Sequence, residues 1–161
     1  MRVAIVMGSL SDLPKLEPMI EVLKNYNVKT DVRCLSAHRT HSQLIDFINE
    51  LNNNGTEVVI AAAGMSAALP GVIASQTILP VIGVPISGKN LDGMDALLSI
   101  AQMPPGIPVA TVAIDGSKNA AYLALQILGL KYKNLQEEIN KERIEMANKV
   151  LEANDQVSNK Y

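Results

Sequence analysis

Tryptophan is absent from the 161-residue chain, and aromatic side chains make up only 3% of it. So few flat rings leave single-stranded nucleic acid with almost nothing to stack on. An excess of positive charge is missing too: 14 basic side chains against 16 acidic ones give a formal net charge of −2. With a pI near 5.7 there is no basic field to attract a polyanion, so nucleic-acid binding is disfavoured. Cysteine occurs once, at Cys34, which excludes an internal disulfide, and His38 and His41 do not stand at any recognised zinc spacing from it. No metal is expected, and a reducing cytoplasm fits. Long apolar runs are also lacking. The stretch from Met1 to Met7 is too short for a signal segment, and Val58 to Ile86 is interrupted by Gly64, Pro70, Gly71, Pro80, Gly83 and Pro85, so it cannot be one membrane helix.

What the chain has in quantity is aliphatic side chains. The hydrophobic share is 48% and the mean hydropathy +0.15, high for a chain with so few rings. Ala, Val, Ile, Leu and Met must fill the core, and surplus apolar surface suits contacts between subunits. The length is that of one domain, 1–161. Five apolar runs, Arg2 to Met7, Val28 to Cys34, Glu57 to Ala62, Val81 to Val84 and Val109 to Ile114, read as strands. Each precedes a helical pattern: Ser11 to Tyr26, Leu44 to Leu51, Pro70 to Thr77, Leu91 to Gln102 and Ser117 to Leu130. Pro18 predicts a late start or a kink in the first helix. Strict βα alternation predicts a parallel five-stranded sheet covered on both faces, a flavodoxin-like three-layer α/β/α sandwich occupying 1–130. A further helix over 131–155 carries Leu135, Ile139, Met146 and Val150 on one stripe, which suits folding back on its own domain or packing on a neighbour. Residues 156–161 read as a frayed tail.

In an open α/β sheet, ligands bind beyond the carboxyl ends of the strands, where strand order reverses. That rule selects three loops. Gly8-Ser9-Leu10-Ser11-Asp12 combines a tight-turn glycine, two hydroxyls and a helix N-terminus, a setting for an anion. It lacks the spacings of dinucleotide and nucleoside-triphosphate loops. Asp12 would repel phosphate and suits sugar hydroxyls, although helix capping by Ser11 or Asp12 accounts for the same residues. In Ser36-Ala37-His38-Arg39-Thr40, Arg39 has paired donors for phosphate and His38 is a side chain that exchanges protons near neutral pH. A solvated arginine and a hydrogen-bonded loop histidine are the structural alternatives. His41 reads as surface, and Cys34, with no base nearby in sequence, as a buried structural thiol. The third loop, Ala63 to Gly71, is small and apolar, so its backbone can approach a flat heterocycle or simply pack closely. Gln102 to Pro108 is a rigid turn that structure alone explains.

Taken in order, Val6-Met7-Gly8-Ser9-x-Ser11-Asp12, Ser36-Ala37-His38-Arg39-Thr40, Ala63-Gly64 with Leu69-Pro70-Gly71, Gly83-Val84-Pro85 and Gln102-Met103-Pro104-x-Gly106-Ile107-Pro108-Val109 resemble the bacterial and archaeal N5-carboxyaminoimidazole ribonucleotide mutases. The resemblance runs from about residue 2 to residue 130. It implies a flavodoxin-like subunit of a homo-octamer, without metal or organic cofactor, whose C-terminal helix packs across subunits. It also implies a substrate phosphate held by Ser9, Ser11, Ser36 and Arg39, a ribose held by Asp12, and His38 as the proton shuttle. Ala37, Gly64, Ser66 and Leu69 complete the implied substrate-binding set. Two positions depart from the family pattern: Ala68 stands where a histidine is usual, and His41 where a proline is usual. The run Ala63-Gly64-x-Ser66-x-Ala68-Leu69 also resembles the related aminoimidazole ribonucleotide carboxylases, which take carbon dioxide directly. A non-catalytic ribonucleotide-binding protein is the third expectation the residues allow.

Overall fold

A computed structural model describes residues 1–161. The chain divides into two compact units, Met1–Ala124 and Leu125–Tyr161. The first carries a five-stranded sheet in the order β2-β1-β3-β4-β5, built from β1 (Arg2–Met7), β2 (Lys29–Cys34), β3 (Val58–Gly64), β4 (Val81–Ile86) and β5 (Ala110–Thr111). Every neighbouring pair is parallel. The intervening helices are α1 (Leu13–Asn25), α2 (His41–Leu51), α3 (Leu69–Gln76), α4 (Met94–Ala101) and α5 (Ser117–Gly129), the last running across the boundary between the units.

The strand order decides where the helices go. From β1 the chain steps one way to β2 and thereafter the other way to β3, β4 and β5. Because crossovers are right-handed, α1 covers one face and α2, α3 and α4 the other. Side-chain parity agrees: Ala4 and Val6 of β1 and Val59, Ala61 and Ala63 of β3 join one cluster with Leu44, Ile48, Leu69, Ile73, Ala96 and Ile100. The alternate residues Val3, Ile5, Val58 and Ile60 are fully buried as well, so both faces are covered. The reversal of direction falls between β1 and β3.

Differences from the sequence reading have local causes. α1 starts at Leu13, after a 3₁₀ turn over Leu10–Asp12, and contains Pro18 without interruption. β5 is only two residues long, against the expected Val109 to Ile114. In β4, Pro85 C=O accepts from Asp115 N at 2.8 Å, so its missing N–H also faces the β5 side and the ladder has no donor there. Cys34 is exposed, not buried, because β2 is an edge strand whose last three residues all face solvent. Gly83 in β4 shows how tightly the core is filled. A Cβ there would overlap Ile100 Cγ2 and lie 2.9 Å from Val109 Cγ1. Gly83→Ala is therefore expected to cost about 1–3 kcal/mol, seen as a lower urea midpoint with an unchanged slope.

The second unit holds the end of α5 and the 26-residue α6 (Lys133–Ser158). The helix starts two residues later than the expected 131–155, ends three residues beyond it, and so takes in half of the tail read as frayed. Only Leu135 and Ile139 of its stripe are buried, whereas Met146 and Val150 are 46% and 69% exposed. No helix is long and apolar enough to cross a membrane.

Candidate active site

The first loop leaves β1 at Met7 and turns at Gly8. Ser9 is extended, with φ −150° and ψ 146°, and its Oγ accepts from Ser11 N to cap the 3₁₀ turn. The hydroxyls of Ser9 and Ser11 lie 2.8 Å apart, and Ser11 Oγ donates to Asp12 Oδ1 at 3.3 Å. Asp12 precedes α1 but makes no side-chain capping bond. The capping role that sequence allowed is thus not taken, and the carboxylate is left to the cleft. Burial raises the Asp12 pKa; hydrogen bonds from Ser11 and the Ser9 backbone, then the charges of Lys15 and Arg39, oppose the rise without cancelling it. A carboxylate desolvated in this way gains from further donors such as sugar hydroxyls.

The second loop is folded on Ser36 and Thr40. Ser36 N donates to Thr40 Oγ1 at 2.8 Å, while Thr40 N and Oγ1 donate to Ser36 O at 3.0 and 3.2 Å. Arg39 joins this loop to the first. Its N and Nε both donate to Ser36 Oγ at 3.3 Å, and Nη2 donates to Gly8 O at 2.8 Å. Arg39 is exposed, and its Nη1 donors are not engaged by these bonds. His38, also exposed, takes no part in the bonds that hold the loop. His41 begins α2 on the surface and does not line the cleft.

The third loop follows β3. Gly64 permits a close approach to β4, since a Cβ there would sit 3.2 Å from Ile86 O. Met65 adopts a left-handed backbone, φ 57°, and is 69% exposed. Ala67 N and Ala68 N bond back to Met65 O and Ser66 O at 2.9 and 2.7 Å, which curls the loop into the start of α3.

These three loops enclose one cleft of about 780 Å³ over the point where strand order reverses. Ser9, Ser11, Asp12, Ser36, Ala37, His38, Arg39, Gly64, Ser66 and Leu69 all line it, together with Ala68. A fourth wall, Ile86-Ser87-Gly88, was not foreseen. Reading β4 as ending at Val84 hides it, because the strand runs on through Pro85 to Ile86 and delivers Ser87 to the same edge. Behind Ser87 stand Lys15 and Asp115, also unforeseen. Burial works to raise the Asp115 pKa, but hydrogen bonds from the Ser87 side chain and backbone, then the bond and charge of Lys15, outweigh it and lower the value.

A family model described as AIR carboxylase matches residues 2–149. The chain is 52% identical over 150 residues to an N5-carboxyaminoimidazole ribonucleotide mutase of Saccharolobus solfataricus, covering 93% of this chain and 95% of that one. It is 47% identical over 149 residues to a phosphoribosylaminoimidazole carboxylase of Candida albicans, covering 92% of this chain but 26% of the longer protein. The crystal structure of Treponema denticola PurE superposes with a TM-score of 0.86 at 30% identity, covering 94% of each chain.

Proposed function

Because the chain belongs to the AIR carboxylase family, matched from residue 2 to residue 149, we propose that it is an N5-carboxyaminoimidazole ribonucleotide mutase of purine biosynthesis. One observation carries the reading: Ser9, Ser11 and Asp12 of the first loop and Ser36, His38 and Arg39 of the second line a single cleft large enough for a ribonucleotide. Ser9, Ser11, Ser36 and Arg39 bind the phosphate, and Asp12 binds the ribose hydroxyls. The heterocycle lies on the small third loop, against Gly64, Ser66 and Leu69, with Ala37 beside it.

The chemistry assigned to His38 is a proton exchange. The N5–carboxylate bond breaks, carbon dioxide is released into the cleft, and N5 takes a proton to become the amine. C4 then attacks the trapped carbon dioxide, forming the new carbon–carbon bond, and must lose its own proton. An imidazole that gives the first proton and takes the second leaves the enzyme unchanged, and no oxidant or nucleotide is consumed. His38 is free to reach, since its loop is held by Ser36, Arg39 and Thr40. No metal or organic cofactor has a step in this scheme.

Ala68 favours a second reading. Where the family pattern has a histidine beside the migrating carboxylate, this cleft has a methyl group. A carboxylase that takes carbon dioxide directly would not need to handle an N-carboxylate. One paired assay separates the two. The mutase is expected to convert N5-carboxyaminoimidazole ribonucleotide to the 4-carboxy isomer without ATP, metal or added bicarbonate. Turnover of aminoimidazole ribonucleotide that rises with carbon dioxide, with the N-carboxylated compound ignored, would establish the carboxylase. Ligand-dependent thermal stabilisation with neither turnover would leave a binding protein.

We also propose that 1–161 acts as a single functional domain in a cytoplasmic homo-octamer that binds no nucleic acid. The exposed apolar side chains of α6, Ile144, Met146, Val150, Leu151 and Val157, support packing of that helix on neighbouring subunits. The exposed free thiol of Cys34 supports a reducing compartment.

A further inference from the structure

Ser87 is a cleft-lining residue with its polar groups already committed. Its N donates to Asp115 Oδ1 at 2.9 Å and its Oγ to Asp115 Oδ2 at 2.6 Å. From the other side, Lys15 Nζ donates to Ser87 O at 3.0 Å and to Ser87 Oγ, and pairs with Asp115 Oδ2 at 3.1 Å. Three separate pieces of the chain meet here: the first turn of α1, the loop after β4, and the segment entering α5. Asp115 is itself held in a left-handed conformation, φ 54°, by its N–H bond to Pro85 O at 2.8 Å and by Ser117 N bonding to its carbonyl at 2.8 Å. The wall is thus rigid, and it has a carboxylate directly behind it. The opposite wall offers Arg39 to an anion.

We propose that Lys15 is a positioning residue of this cleft, which cancels the charge of Asp115 behind the Ser87 wall so that an anionic ligand is not repelled from that side. The proposal rests on the ribonucleotide reading above. Asp115 is the acceptor that aligns Ser87 N and Oγ, and an amide of the same shape keeps the Ser87 N bond through its oxygen and meets Ser87 Oγ with its NH2. The cost is a negative charge beside a site for phosphate and carboxylate. The ammonium removes that charge while also gripping the Ser87 carbonyl, so one side chain fixes the wall and neutralises it. Lys15 does not line the cleft and touches no ligand; it acts through Ser87 and Asp115.

The test is calorimetric binding of aminoimidazole ribonucleotide to the full chain, with turnover measured in parallel. Lys15→Met is expected to weaken binding by about 3- to 10-fold, the size of one uncompensated charge acting across a partly solvated distance. Turnover of the saturated enzyme is expected to change less than twofold, and the binding loss to shrink at high salt. Lys15→Met combined with Asp115→Asn, which removes both charges, is expected to recover most of the lost affinity, the remainder being the lost grip on the Ser87 carbonyl. Asp115→Asn alone, which keeps the ammonium, is expected to bind at least as tightly as the parent. Unchanged affinity in Lys15→Met, or a double variant no better than that single one, overturns the proposal; the second result would move the role of Lys15 to Asp12. Should Lys15→Met fail to fold, Asp115→Asn decides alone, and weaker binding in it overturns the proposal. If the parent chain itself does not bind aminoimidazole ribonucleotide, the ribonucleotide reading is what fails.

Discussion

Replacing His38 with asparagine is expected to lower turnover of N5-carboxyaminoimidazole ribonucleotide by roughly 10²- to 10⁴-fold while leaving affinity for aminoimidazole ribonucleotide within a few-fold of the parent. The separation of the two effects follows from where His38 sits. It lines the cleft, yet the fold of its loop depends on Ser36, Arg39 and Thr40, so removing the imidazole leaves the binding surface in place. Asparagine keeps a planar hydrogen-bonding end but cannot accept and return a proton near neutral pH. What is lost is therefore an interaction made only as a proton moves, which appears in turnover and in turnover over KM equally. Aspartate or glutamate at position 38 would restore a titratable group but add a negative charge beside an anionic ligand. A loss of less than about tenfold in His38→Asn would move the proton transfer to another group. Asp12, a carboxylate of the same cleft whose pKa burial raises, is then the next candidate.

Much of the fold was readable because its signals are local and repeated. Five apolar runs each followed by a 3.6-period pattern admit few arrangements, and the strand-end rule then picks the loops without further information. That is why Ser9, Asp12, His38, Arg39 and Gly64, separated by up to 55 positions in the numbering, could be assigned to one place before any contact was known. The misreadings share a different cause. Pro85 reads as the end of a strand, whereas it is tolerated inside β4 because its missing N–H faces the side where β5 has already stopped. That single choice hid Ser87. Lys15 and Asp115 were invisible for a simpler reason: they meet across 100 positions through a serine, and no spacing along a chain announces such a contact. Cys34 failed on topology, since whether a strand lies at the edge or in the middle of a sheet is decided by the order of strands.

Arg39 is the residue whose loss should most weaken binding. Arg39→Ala is expected to raise the Kd for aminoimidazole ribonucleotide about 10- to 100-fold, the range for one or two charge-assisted hydrogen bonds to phosphate. The guanidinium already bridges the first two loops, through Nη2 to Gly8 O at 2.8 Å and Nε to Ser36 Oγ at 3.3 Å. These contacts use the Nε and Nη2 edge of the fork and leave the Nη1 donors out of the bracing, so the protein has oriented the group before any ligand arrives. Lysine cannot reproduce this: its ammonium is a compact point charge without the planar fork that braces Gly8 and Ser36 while keeping further donors for the phosphate. Arg39→Lys should accordingly recover only part of the loss. The phosphate assignment has its own control in the matching nucleoside, aminoimidazole riboside, which lacks the phosphate. Its weak binding should be almost the same in Arg39→Ala as in the parent, whereas the ribonucleotide loses affinity. Equal losses for both ligands would mean that Arg39 acts only as the brace between Gly8 and Ser36, and unchanged affinity for the ribonucleotide would remove the arginine from the binding site altogether.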